Sequence, residues 1–276
     1  MSCTPPSGSS FGIGTTEVRC TATDAQQRTA SCRFTVTVAA PAPPRLNATN
    51  FVAFGDSITE GVLEPACPLI TAAMPFPQIL DVELLRAGVS VPESYPSVLQ
   101  DMLASRYPAQ SPIVTNEGRA GERATDGGTL PRLRDALSRA NPQVLLLLEG
   151  VNEVNGNNAS VIAPVVAALR VMVREAQARR ITVMVGTLLP ERAGACRGYA
   201  PSLIAPSNDQ IRAMVVAEGA VLVDLYEVFA GREGTLLGND GLHPNAAGYQ
   251  QMAQTFLEAI RARFESTPSG SASRSW

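Results

Sequence analysis

One histidine, His243, is all the imidazole this chain of 276 residues has. Its 5 cysteines are scattered over positions 3, 20, 32, 67 and 196, with no C-x-x-C pair. A Cys/His zinc site needs clustered soft ligands, and this set does not supply them. Nor is there a run of about 20 apolar residues, the length that a bilayer-spanning helix needs. The stretch VLLLL at 144–148 suits a buried strand. Basic excess is missing too, since 22 Lys plus Arg against 25 Asp plus Glu give a formal charge of -3. So weakly acidic a chain has no surplus of cations for phosphates, and neither nucleic acid nor an anionic membrane is expected as a partner. The phosphate loop G-x-x-x-x-G-K-[ST] is absent, and GIGTTE at 12–17 lacks the third glycine of a dinucleotide turn.

What remains is a chain whose 45% hydrophobic fraction can fill a sizeable core. Its length suits one substantial domain and a small extra module. The opening MSCTPPSGSS has neither a basic nor an apolar region, so it is not a signal peptide. Scattered cysteines nevertheless favour structural disulfides in an oxidising compartment. The expectation is a secreted, extracellular or periplasmic protein whose export signal is absent from this sequence. The odd cysteine count implies a missing partner upstream.

Two alternating stretches, TTEVRCTAT at 15–23 and ASCRFTVTV at 30–38, flank the polar TDAQQR. They predict a pair of adjacent strands with Cys20 and Cys32 close together, a candidate disulfide. Residues 1–40 form this β segment, and the proline-rich 41–46 a stiff linker. So few large apolar side chains would be marginal alone. The segment resembles the C-terminal half of a hyalin-repeat (HYR) domain, through Cys3-Thr-Pro-Pro-Ser-Gly8, Phe11, Gly14, VRCTATDA and SCRFTVTV. That resemblance implies a truncated immunoglobulin-like module serving as an extracellular spacer.

From residue 47 to 265 the texture becomes α/β, and 266–276 is a Ser/Gly-rich tail. Strands read at 51–55, 111–116, 143–150, 181–186 and 220–225. Helices read at 94–107, 129–140, 160–179, 206–219 and 246–264, the last with a stripe of Tyr249, Met252, Ala253, Phe256 and Ile260. Strands apolar throughout and separated by helices predict a parallel sheet covered on both faces. Ligands of such sheets bind beyond the carboxyl ends of the strands. Ser57, Gly121 and Asn152 all lie just past such ends. The long connection 62–92 carries Cys67, and the loop after the fourth strand carries Cys196. Both loops leave the same sheet edge, so a Cys67–Cys196 disulfide is expected to tie them.

A serine hydroxyl is a weak nucleophile until a base takes its proton, and imidazole suits that work at neutral pH. A carboxylate on the other ring nitrogen fixes the tautomer. Asp240 precedes His243 by three residues in D-G-L-H-P, and one turn brings the two together. A lone histidine is more often a helix cap or a buried hydrogen-bonding group; the combination with Ser57 in G-D-S decides otherwise. NEGRAGE at 116–122 and EGVNE at 149–153 offer the Gly121 backbone and the Asn152 amide as donors to an oxyanion. Asp56 reads as a turn carboxylate or a support behind the site. Asp224 reads as structural. A pair drawn from Asp56, Glu60, Glu149 and Glu153 for glycoside hydrolysis is a weaker reading, because sequence does not fix the separation.

Over roughly 50–262 these blocks resemble the SGNH/GDSL hydrolase superfamily: Ser57 in GDSIT, Gly121 in NEGRAG, Asn152 in GVNE, and Asp240 with His243 in DGLHP. The G-x-S-x-G elbow of the α/β-hydrolases is absent around Ser57. The resemblance implies a flavodoxin-like three-layer α/β/α sandwich with a five-stranded parallel sheet. It implies a triad of Ser57, His243 and Asp240, and an oxyanion hole of Ser57 N–H, Gly121 N–H and the Asn152 side chain. Two departures stand out: Glu153, which the resemblance makes a support behind the site and where aspartate is commoner, and the long 62–92 segment.

The expected activity is hydrolysis of short-chain carboxylic esters through an acyl-enzyme, needing no cofactor and no metal. Its substrate would be a small-molecule or carbohydrate ester. Acetyl-xylan-type O-deacetylation is the first alternative; a non-catalytic extracellular binding or adhesion protein is the other.

Overall fold

The structure, a computed structural model, describes residues 1–63 and 91–266. Its contacts divide these into Met1–Pro44 and Arg45–Ser266. The first unit is a three-stranded antiparallel sheet of β1 (Ser2–Thr4), β2 (Gly14–Thr23) and β3 (Thr29–Val38), with β2 in the centre. Asp24 shapes the β2–β3 turn by accepting from the backbone of Gln26 and Arg28, both at 2.9 Å.

Cys20 and Cys32 face each other in register, as the alternation predicts. The expected Cys20–Cys32 disulfide is nevertheless wrong. Cys3 stands opposite Cys20 on the other side, and the bond joins Cys3 to Cys20. A central strand presents its cysteine to two neighbours, and its sulfur can bond only one of them. Cys32 is left as an exposed thiol.

In the second unit Arg45–Leu46, expected within the linker, form a short strand β4. Then follow β5 (Asn50–Gly55), α1 (Ser57–Glu60), α2 (Tyr95–Arg106), β6 (Ile113–Gly118), α3 (Thr129–Ala140) and β7 (Val144–Leu148). Next come α4 (Val151–Val154), α5 (Ile162–Ala178), β8 (Thr182–Gly186), α6 (Pro201–Ala217) and β9 (Val221–Val223). Helices α7 (Leu225–Phe229), α8 (Glu233–Leu236) and α9 (Ala246–Phe264) lead to β10 (Glu265–Ser266), which pairs with β4.

Five strands form one parallel sheet in the order β6-β5-β7-β8-β9. Counted along the chain this is the flavodoxin order, with its switch point between β5 and β7, where such sheets open a crevice. β7 is buried along its whole length, which explains its unbroken apolar run. Helices cover both faces in a three-layer sandwich: α2 packs on α9, while α5 packs on α3 and α6. Tyr95 of α2 stacks on Phe256 of α9 with ring centres 5.0 Å apart. The predicted α9 stripe is buried throughout.

Helix α6 begins at Pro201, five residues before the expected start, and carries Pro206 in its interior. A buried Ile204 holds that extra turn against the core, and this offsets the backbone hydrogen bond that Pro206 cannot donate. The short helices α4, α7 and α8 are too brief to leave a periodic signature. Among the described residues no helix is long and apolar enough to cross a membrane.

Candidate active site

Gly55 ends β5 and Asp56 opens α1, accepting from the backbone N–H of Ile58 at 2.9 Å. This cap places Ser57 at the first helical position, beyond the sheet. The His243 Nε2 lies 2.9 Å from Ser57 Oγ, although 186 residues separate the two in sequence. On the other side of the ring, Nδ1 is 2.5 Å from Asp240 Oδ2. All three side chains are buried.

The D-G-L-H turn is built by its own carboxylate. Asp240 Oδ1 accepts from the backbone of Leu242 and of His243, both at 3.1 Å. Gly241 has φ +77°, a conformation that favours glycine, and a Cβ there would lie 2.3 Å from that of Ala195. Burial pushes the Asp240 carboxyl up, but the hydrogen bond and charge of His243 and the two backbone donors outweigh it. The net result is a carboxyl below its ordinary range. An ionised Asp240 can only accept, so Nδ1 carries the proton and Nε2 turns its lone pair to the Ser57 hydroxyl.

Besides Ser57 N–H, the expected donors lie on the segments that follow β6 and β7, the two strands that flank β5. Neither Ser57 N–H nor Gly121 N–H donates to another group among the described residues. Asn152, on α4 after β7, gives one amide hydrogen to the Glu122 carbonyl at 2.7 Å. Its second amide hydrogen has no partner among the described residues. A polarised hydroxyl, a base held by a carboxylate and uncommitted donors form a constellation suited to acyl transfer.

A profile of the GDSL-like lipase/acylhydrolase family matches residues 53–251. The chain belongs to that family. A profile of the HYR domain matches residues 1–38 of this GDSL-like hydrolase. Among solved structures, a lipase/acylhydrolase from Enterococcus faecalis is similar at TM-score 0.60 and 22% identity, over 78% of this chain and 96% of that one. A psychrotrophic esterase from Pseudoalteromonas sp., in a structure inhibited by monoethylphosphonate, gives TM-score 0.54 and 19% identity over 78% and 97%. A carbohydrate acetylesterase family member from Sinorhizobium meliloti gives TM-score 0.57 and 15% identity over 77% and 97%. At these identities the likeness establishes the fold. No curated protein sequence matches the chain.

Behind the site the GDSL-like hydrolase buries four carboxyl groups, those of Asp56, Glu122, Glu149 and Glu153. Arg132 is the counter-charge to Glu122 and Glu149: Nε donates to Glu122 Oε1 at 2.8 Å, and the guanidinium covers the Phe54 ring at 3.9 Å. Burial, with the charges of Glu153 and Glu122 adding to it, pushes Asp56 up to about 7 against the opposing Ile58 N–H. Neither oxygen of Glu149 has a hydrogen-bond partner among the described residues. Burial and then the Asp56 charge raise that carboxyl well above its usual range, so the neutral acid is the form such a pocket favours. Glu153 accepts from Thr125 N at 2.9 Å and Thr125 Oγ1 at 3.1 Å, holding the loop that carries Gly121. Asp224 caps α7 and pairs with Arg212, a structural task.

Several supporting residues were not legible in the sequence. Arg192 and Arg197 touch the site loops through contacts that no local spacing announces, and Glu60, read from the sequence only as one of several carboxylates, does so through Ala120 N. Cys196 is disulfide-bonded; Cys67 lies outside the described residues, as does most of the 62–92 connection, so the expected Cys67–Cys196 pairing is not placed. Among the described residues no group of three or more His, Cys, Asp or Glu is arranged to hold a metal ion.

Proposed function

We propose that the protein is a serine esterase that cleaves short-chain carboxylic esters through an acyl-enzyme on Ser57. The observation that carries this reading is the continuous relay from Ser57 Oγ through His243 to Asp240 at 2.9 and 2.5 Å. Ser57 Oγ attacks the carbonyl carbon as Nε2 takes its proton. Charge that builds on the carbonyl oxygen meets Ser57 N–H, Gly121 N–H and Asn152 Nδ2. The bond to the leaving oxygen breaks, and Nε2 returns the proton to it as an alcohol. A water then attacks the acyl carbon, giving its proton to Nε2. The Oγ–carbon bond breaks, the proton returns to Oγ, and a carboxylic acid leaves. Asp240 stays ionised and steadies the imidazolium in both halves.

A carbohydrate O-acetyl ester is the second reading. It is favoured by the HYR-matching segment, which suits an accessory module beside the hydrolase, and by the fold likeness to a carbohydrate acetylesterase family member. In either case we read residues 1–40 as a separate module and the protein as exported, in keeping with the Cys3–Cys20 disulfide.

The test is a series of p-nitrophenyl esters of increasing acyl length beside acetylated oligosaccharides, for wild type and Ser57→Ala. Turnover highest on the shortest acyl groups and lost in Ser57→Ala supports the esterase. Release of acetate from the oligosaccharides at higher kcat/KM would favour the second reading. No ester turnover by the wild type would overturn both.

A further inference from the structure

The serine helix and the Gly121 turn are joined by contacts that the mechanism above does not use. β6 ends so close to α1 that a Cβ on Gly118 would lie 2.0 Å from the Glu60 backbone nitrogen. Arg119 N donates to Gly55 O at 2.9 Å, and Asn116 Nδ2 to Glu60 O at 3.3 Å. The Glu60 side chain then reaches across the junction, where its Oε2 accepts from Ala120 N at 2.6 Å. Bonds from a backbone N–H to a carboxylate are shorter and stronger than those between neutral groups.

Ala120 immediately precedes Gly121, which is exposed and has φ +77°. A glycine in an exposed turn holds its peptide plane weakly by itself. Yet an oxyanion donor is useful only when its direction is fixed before charge develops. Glu153 secures the same loop at Thr125, four residues beyond Gly121, whereas Glu60 secures it one residue before. Of the two carboxylates, Glu60 therefore has the tighter hold on where Gly121 N–H points.

We propose that Glu60 is a positioning residue that sets the aim of the Gly121 N–H relative to Ser57 by anchoring Ala120. It touches no reacting atom, and its effect reaches the reaction through the oxyanion donor. The inference rests on the reading of Ser57 as nucleophile and Gly121 N–H as donor.

The experiment compares wild type, Glu60→Ala, the near-isosteric Glu60→Met and Glu60→Gln, whose amide oxygen can accept the same N–H. Steady-state kinetics on p-nitrophenyl acetate are run beside the rate of phosphonylation by an alkylphosphonate ester, well below the lowest melting temperature. Glu60→Ala and Glu60→Met are expected to lose roughly 10- to 100-fold in both kcat and phosphonylation rate, with KM nearly unchanged. Glu60→Gln is expected to recover most of that loss. Wild-type rates in both Ala and Met variants, a loss confined to KM, or a Gln variant as impaired as the other two would overturn the proposal. A wild type that turns over ester without phosphonylation at Ser57 would instead overturn the underlying reading. A wild type phosphonylated at Ser57 no faster than Glu60→Ala would overturn this inference alone.

Discussion

Arg192 grips the turn at Gly241: its backbone N–H donates to the Gly241 carbonyl at 2.8 Å. Its guanidinium reaches the carbonyls of Gly238 and Asn239 at 2.9 and 2.8 Å. Five residues on, Arg197 N donates to the Asp240 carbonyl at 2.8 Å, and its Nε lies 3.8 Å from Asp240 Oδ2. The loop after β8 thus clamps the acid–base turn from outside. Arg192→Ala is expected to lower kcat by roughly tenfold through a looser Asp240–His243 pair. It should also lower the melting temperature by about 2–6 °C for the lost hydrogen bonds. Kinetics and calorimetry unchanged from wild type would contradict the clamp.

Asp240→Asn keeps the size of the side chain but removes the charge and offers the wrong hydrogen-bonding pattern to Nδ1. A loss of roughly 10³–10⁴ in kcat is expected, with little change in KM. Activity within tenfold of wild type would mean that another group orients the imidazole.

Two carboxyls give opposite dependences of stability on pH. The folded Asp240 carboxyl lies below its ordinary value, so its contribution is present above about pH 4 and is lost as pH falls through the lower folded value. Melting curves of wild type and Asp240→Asn should therefore converge as acid is added. Glu191 behaves the other way: burial pushes its carboxyl up to about 7, against the Ala200 N–H that donates to Oε2 at 2.7 Å. Its ionisation destabilises the fold increasingly from about pH 4.5 to 7, and the cost is complete above that. Glu191→Gln should gain stability over wild type across this window, on the order of 2 kcal/mol at pH 8. A constant difference between the two from pH 4 to pH 8 would refute the shift.

The cysteine pattern of the N-terminal unit is open to direct mapping. An alkylating reagent applied without reductant should label Cys32, and Cys3 and Cys20 should join it only after reduction. A peptide map with Cys20 bonded to Cys32 and Cys3 labelled would restore the pairing expected from the hairpin.

Apolar strands alternating with amphipathic helices predicted the parallel sheet, because burial on both faces leaves a strand no polar positions. Ser57, Gly121 and Asn152 could be placed at one edge because each follows such a strand directly. Asp240 and His243 were legible as a pair because three residues separate them. Glu60 and Arg192 were not, since their partners at Ala120 and Gly238 lie far away in sequence and depend on how strands and loops come together. Cys20 failed for a related reason: alternation gives the facing residue on one neighbour but is silent about the second neighbour that carries Cys3. Carboxyls such as Glu149 are one letter in an apolar run until burial strips them of water.

Acid quenching of a reaction with a short p-nitrophenyl ester traps the acyl group on the residue that carries it. Peptide mass mapping of the quenched wild type should find one acyl group on Ser57, with none in Ser57→Ala and hydrolysis lost in that variant. Ester turnover with no acyl group on Ser57, or a Ser57→Ala variant as active as wild type, would contradict an acyl-enzyme on Ser57.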